Sequence, residues 1–154
     1  MATALMKKLE SLRSEDEELV AIVENDACGV DALQCVSGCT FGKGNLKFHD
    51  FGKQVYTLYS RSSGKGIRAV FHGKGIPGNL REDRMAFTEW MLRAPLESII
   101  SFTFVSVGEP EPARIRKSLS CFYCGESVME TRVRELNGSA CCIPCHQAVA
   151  GRLQ

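Results

Sequence analysis

Two pairs of cysteines near the C-terminus limit what this chain can become more than any other feature. Cys121 and Cys124 form one CxxC, Cys142 and Cys145 form another, and 17 residues lie between the pairs. That is the spacing of structural zinc sites, in which each two-residue gap turns two thiolates toward one ion while backbone amides steady their charge. Compartment decides whether the thiols are free for this. The N-terminus, MATALMKKLESL, carries Lys7, Lys8 and Glu10 where a secretory signal would keep an apolar run. A cytoplasmic location is therefore expected, and the eight cysteines of the 154-residue chain should be reduced. Metal ligation is then favoured over the competing reading of two disulfides or of thiols lying in a core. Four thiolates fill a tetrahedral shell, so the predicted zinc is structural, with no open position for catalysis. Cys141 could stand in for Cys142, but only Cys142 keeps two residues before Cys145.

Between the pairs, Val128 to Leu136 reads as a strand, Asn137 and Gly138 as a type I′ turn, and Ser139 to Cys142 as the returning strand, before a helix over 143–150. Knuckle, hairpin and ligand-bearing helix describe a small treble-clef zinc finger. Upstream, Leu5, Leu9 and Leu12 predict a helix over 2–13, LVAIVE a buried strand, and 28–37 a helix stopped by Gly38. On that helix Cys28, Asp31 and Cys35 share one side with Ala32, while Val30, Leu33 and Val36 take the other. Strands follow near 46–49, 54–60, 67–72 and 99–107, with a helix over 80–93 whose buried side would be Leu80, Met85, Trp90 and Met91. The fold class is α+β, a mixed or antiparallel sheet with flanking helices in residues 1–112, plus the zinc module in 113–154.

With 44% hydrophobic and 24% charged residues, the composition is that of an ordinary globular chain, and no run approaches the length of a membrane helix. The formal charge is only +1, yet charge is segregated. Ser14 to Asp31 holds seven acids and no base, and Cys39 to Arg81 holds eight bases and one acid. Either an anionic ligand is steered to the middle of the chain, or two neighbouring elements attract one another. Arg114, Arg116, Lys117, Arg132 and Arg134 flank the finger, but the helix after Cys145 offers only Arg152. Nucleic acid is thus a secondary reading.

Cys28, Asp31, Cys39 and His49, with Cys35 beside them, are a second candidate site for a metal ion or for thiol catalysis; the equal alternative is that Cys28 and Cys35 are small buried residues and Asp31 a solvent group or helix cap. The segment VAIVENDACGVDALQCVSGCTFGKGNLKFHDFGKQVYTLYSR (residues 20–61) strongly resembles the FmdE-like family of formylmethanofuran dehydrogenase proteins. CFYCGESVMETRVRELNGSACCIPC resembles the treble-clef module appended in many members. The resemblance implies an α+β core with an auxiliary zinc finger, assembled as a homodimer. Members typically begin with an HGHxCPG segment that helps build the core site. MATALMKKLE resembles the helix after it, which predicts an N-terminally shortened chain. Cys28, Asp31, Cys39 and the loop Gly42, Lys43, Gly44 and Asn45 match the family's remaining core positions, for a second metal or a ligand. In systems this resembles, catalysis belongs to molybdenum or tungsten proteins of the complex, so an accessory or regulatory role beside a molybdoenzyme partner is implied. The alternatives are a cysteine-dependent enzyme and a nucleic-acid-binding zinc-finger regulator.

Overall fold

The computed structural model describes residues 1–80 and 82–150; Arg81 and Arg152, named above, lie outside them. Its contacts gather into two units, Met1–Ala113 and Arg114–Gln154. The first is a five-stranded mixed sheet with helices on one face, the expected α+β class. Helix α1 (Ala2–Leu9) buries Leu5, Met6 and Leu9. It ends four residues earlier than its leucine spacing predicts, because Glu10 turns left-handed (φ 54°) and leaves Leu12 exposed.

Strand β1 (Leu19–Val23) leads through helix α2 (Gly29–Ser37) to strand β2 (Leu46–Phe48), which returns parallel to β1. Gly38 stops α2 at φ 76°, and a Cβ there would collide with the Ser14 carbonyl oxygen, so both conformation and space require glycine. Strands β3 (Val55–Ser60), β4 (Lys65–Phe71) and β5 (Ile100–Val105) add on antiparallel, giving the order β2-β1-β3-β4-β5. Register places Leu46, Ala21, Leu58 and Ile67 in one row across the sheet, and Val23, Tyr56, Ala69 and Phe102 in the next. Leu5 of α1 and Leu33 of α2 close over these rows with no exposed surface, making the core.

Helix α3 (Arg84–Arg93) begins at Asp83, whose carboxylate accepts the amides of Met85 and Ala86 at 3.0 Å each. The expected buried side is corrected here. No residue of α3 is buried and Met85 is 79% exposed, while Trp90 and Met91 rest only partly on the core. Apolar residues at 85–87 and 90–92 point all round a helix, so one contact face cannot take them together.

Two of the basic residues, Arg61 and Arg68, pair with the acidic segment within this unit. Arg68 meets Glu24 at 3.1 Å, and Arg61 meets Glu17 at 3.6 Å and Glu109 at 3.1 Å. Glu17 also accepts the Ala113 amide at 2.9 Å, so the acidic segment holds the basic strands and the chain after β5.

Glu18 lies in the same acidic run. Its carboxyl is drawn from 4.5 to about 2, first by the Ser14 hydroxyl at 2.7 Å and then by backbone amides. The fold therefore prefers the ionised form. Its contribution is whole above about pH 4.5 and disappears as pH falls toward 2. Urea titrations of Glu18→Gln should show a deficit against the native chain at pH 6 that narrows toward pH 2. A deficit independent of pH would show that ionisation is not what Glu18 contributes.

Candidate metal centre and core recess

The C-terminal unit is built around its cysteines. Strand β6 (Ser118–Ser120) runs into Cys121, and Gly125 at φ 75° turns the chain back into β7 (Ser127–Met129). The knuckle is closed by the Gly125 amide donating to the Cys121 carbonyl and the Cys121 amide donating to the Glu126 carbonyl. Strands β8 (Arg134–Leu136) and β9 (Ser139–Cys141) form a hairpin over Asn137 and Gly138, whose φ of 52° and 74° are those of the predicted type I′ turn. Helix α4 (Ile143–Ala150) follows Cys142 at once and carries Cys145 in its first turn. The Phe122 amide donates to the Ala140 carbonyl, tying knuckle to hairpin.

Ligand atoms of Cys121, Cys124, Cys142 and Cys145 all lie within 4.8 Å of one another, the only such group of His, Cys, Asp or Glu among the described residues. Cys124 and Cys142 sulfurs are 3.9 Å apart. A tetrahedron with Zn–S bonds of ~2.3 Å has edges of roughly 3.8 Å, so the Cys124–Cys142 separation matches one edge and the whole set is of a size that could hold zinc. Backbone amides supply the expected support: Cys142 donates to the Cys121 sulfur at 3.3 Å and Cys145 to the Cys142 sulfur at 3.4 Å. The Cys142 amide, followed by that of Cys124, pulls the Cys121 thiol down from 9.0 to about 6. Cys145 is pushed far up, first by its bond with Cys142, then by burial and the remaining thiols. The Cys121 thiolate forms readily and the Cys145 thiol resists, which a dication at the centre would reverse. No cysteine is in a disulfide.

One expectation for this unit needs amendment, and the preference for Cys142 over Cys141 agrees with the cluster. Val128 to Leu136 is not one strand but β7, a 3₁₀ turn over Glu130–Arg132, and β8, since the first half must pair with β6 and the second with β9. Cys141 stays outside the cluster, buried, with its thiol directed to the Arg134 carbonyl at 3.4 Å.

The second candidate set is not brought together. Cys28 caps α2, exposed, on a recess of about 320 Å³ lined also by Ala32, Gln54, Tyr56 and Phe71. Asp31 is exposed one turn on, outside that lining. Cys39 is wholly buried, and burial pushes its thiol up, the reverse of what a nucleophile needs. His49 is exposed beyond β2, its ring 5.6 Å from that of Phe51. Two of the loop residues expected to hold a ligand have partners inside the protein. Asn45 accepts the Thr40 amide and donates to the Asp16 and Leu19 carbonyls, and Lys43 donates to the Ser14 carbonyl. Reasoning from sequence misses Tyr56 and Gln54 as recess residues. Strand alternation alone would have put Tyr56 on the helix-covered face with Leu58.

The family model described as FmdE, molybdenum formylmethanofuran dehydrogenase operon, matches residues 1–100. The chain belongs to the FmdE family. A probable S-adenosyl-L-methionine-binding protein of Archaeoglobus fulgidus is 27% identical to this FmdE-family chain over 183 residues. That match takes in 99% of the chain and 49% of the relative, so the chain spans about half the relative's length. The crystal structure of a tungsten formylmethanofuran dehydrogenase FmdE-like protein from Syntrophus aciditrophicus shares the fold, with a TM-score of 0.63 and 24% identity over 96% of this chain and 82% of that one. No helix among the described residues is long and apolar enough to cross a membrane.

Proposed function

We propose that this FmdE-family chain is a cytoplasmic, zinc-binding accessory protein, acting as a homodimer beside a molybdenum or tungsten enzyme. Its zinc is structural, held by Cys121, Cys124, Cys142 and Cys145. The observation that carries this reading is the four-sulfur cluster with amides already donating to two of its sulfurs. Residues 1–112 are the ligand-binding core and 113–154 the zinc module that presents a surface to the partner. Mass spectrometry of chain purified without added metal should find about one zinc per chain, and none in Cys121→Ser/Cys142→Ser. Native chain without zinc would overturn the reading.

The recess beside Cys28 supports a small-ligand role for the core. It is mainly apolar, with the Tyr56 hydroxyl and the Gln54 amide as polar anchors. The name of the Archaeoglobus relative makes S-adenosyl-L-methionine the first compound to test. Calorimetric titration should show binding to the native chain that weakens at least tenfold in Cys28→Ala, with unchanged circular dichroism. Equal binding by the variant would place the ligand elsewhere.

A further inference from the structure

The four cysteines are not equally enclosed. Cys121 and Cys142 are buried, Cys145 is half-buried, and Cys124 alone is exposed. Solvent therefore reaches the cluster on the Cys124 side. Glu126 stands on that side: its Oε2 lies 3.5 Å from the Cys124 sulfur. The residue is held there by its own carbonyl, which accepts the Cys121 amide at 2.8 Å. An oxygen donor of the kind zinc accepts thus sits beside the most accessible sulfur.

We infer that Glu126 is a reserve ligand through which the metal enters and leaves. It replaces Cys124 in the metal's coordination shell: the bond from metal to the Cys124 sulfur breaks as a bond to a Glu126 carboxylate oxygen forms. One anionic donor leaves as another arrives, so the charge around the metal is unchanged and no oxidant or reductant takes part. Cys121, Cys142 and Cys145 keep hold throughout, so the finger need not open. The zinc is then exchangeable with an acceptor that approaches from the Cys124 side, although it is structural while bound. This inference rests on the four cysteines being the zinc site.

Cobalt(II), whose spectrum reports its ligands, tests it on the full chain. Native chain should show the bands of a four-thiolate tetrahedral site. Cys124→Ala should keep tetrahedral bands, with sulfur-to-cobalt charge-transfer intensity reduced to about three-quarters as four thiolates become three. Cys124→Ala/Glu126→Gln should lose those bands. Failure of Cys124→Ala to take up cobalt, or equal uptake by the double variant, would overturn the role of Glu126. The intact site gives a second reading. Zinc transfer from Glu126→Gln to a chromophoric chelator should be roughly tenfold slower than from native chain, and an unchanged rate would count against exchange through Glu126. Native chain that takes up neither metal would instead overturn the zinc site itself.

Discussion

Cys121→Ser is expected to unfold the C-terminal unit and leave the sheet domain folded. The reason lies in what each unit buries. Around Cys121, Cys141 and Cys142, the partly buried apolar residues among those described are only Val128, Leu136 and Cys145. Strand β6 is exposed along its whole length, and Phe122 is 71% exposed. Burying one aliphatic side chain contributes ~2 kcal/mol at best, whereas ordering each residue costs about 1.5 kcal/mol, so this unit cannot hold itself together by apolar burial. Zinc supplies on the order of 10 kcal/mol in such modules. Serine is a far weaker zinc ligand than thiolate, and the substitution also exchanges the sulfur that accepts the Cys142 amide for an oxygen on a shorter arm. The sheet domain has its own core in Leu5, Leu33, Leu58 and Ile67 and shares none of this dependence. Amide resonances of 118–149 should collapse to random-coil positions in Cys121→Ser, or in native chain treated with a strong chelator, while those of 19–71 keep their dispersion. Retained dispersion throughout the C-terminal unit would mean that something other than metal holds it.

The parts of this picture that could be read in advance are those whose determinants sit close together in the chain. Cys121 and Cys124 share one turn, Gly38 ends a helix by its own φ, and Asn137 with Gly138 makes a turn without outside help. Features decided by a distant contact leave no such trace. Nothing near Met85 says that its helix touches the core only through Trp90 and Met91 on another side. Nothing between Val128 and Leu136 says that its two halves serve different partner strands. The pattern of buried and exposed positions on α2 was legible because it is a property of that helix alone. The convergence of Cys28 with Tyr56 and Gln54 depends on β3 passing beneath, and spacing along the chain carries no record of that.

The loop Gly42 to Asn45 carries the second large effect. Two glycines around a lysine suggest a cradle for a ligand, but Asn45 has no exposed surface and its amide group is used up inside the protein. Its oxygen takes the Thr40 amide at 2.8 Å, and its nitrogen donates to the carbonyls of Asp16 at 2.8 Å and Leu19 at 3.0 Å. Asn45 thereby holds the approach to β1 against the approach to β2, fixing the register in which Ala21 faces Leu46. Asn45→Ala deletes three hydrogen bonds and strands buried backbone groups at a cost of about 3 kcal/mol, which should lower the melting temperature by roughly 10 °C in a chain of this size. Asn45→Asp keeps the shape but turns a carboxylate toward two carbonyl oxygens where donors are required, and should be the more damaging of the two. Thermal unfolding followed by circular dichroism gives the order native, alanine, aspartate. Were the loop a ligand cradle, the same variants would melt like native chain and lose only ligand binding, so stability and binding measured on one set of proteins separate a latch from a cradle.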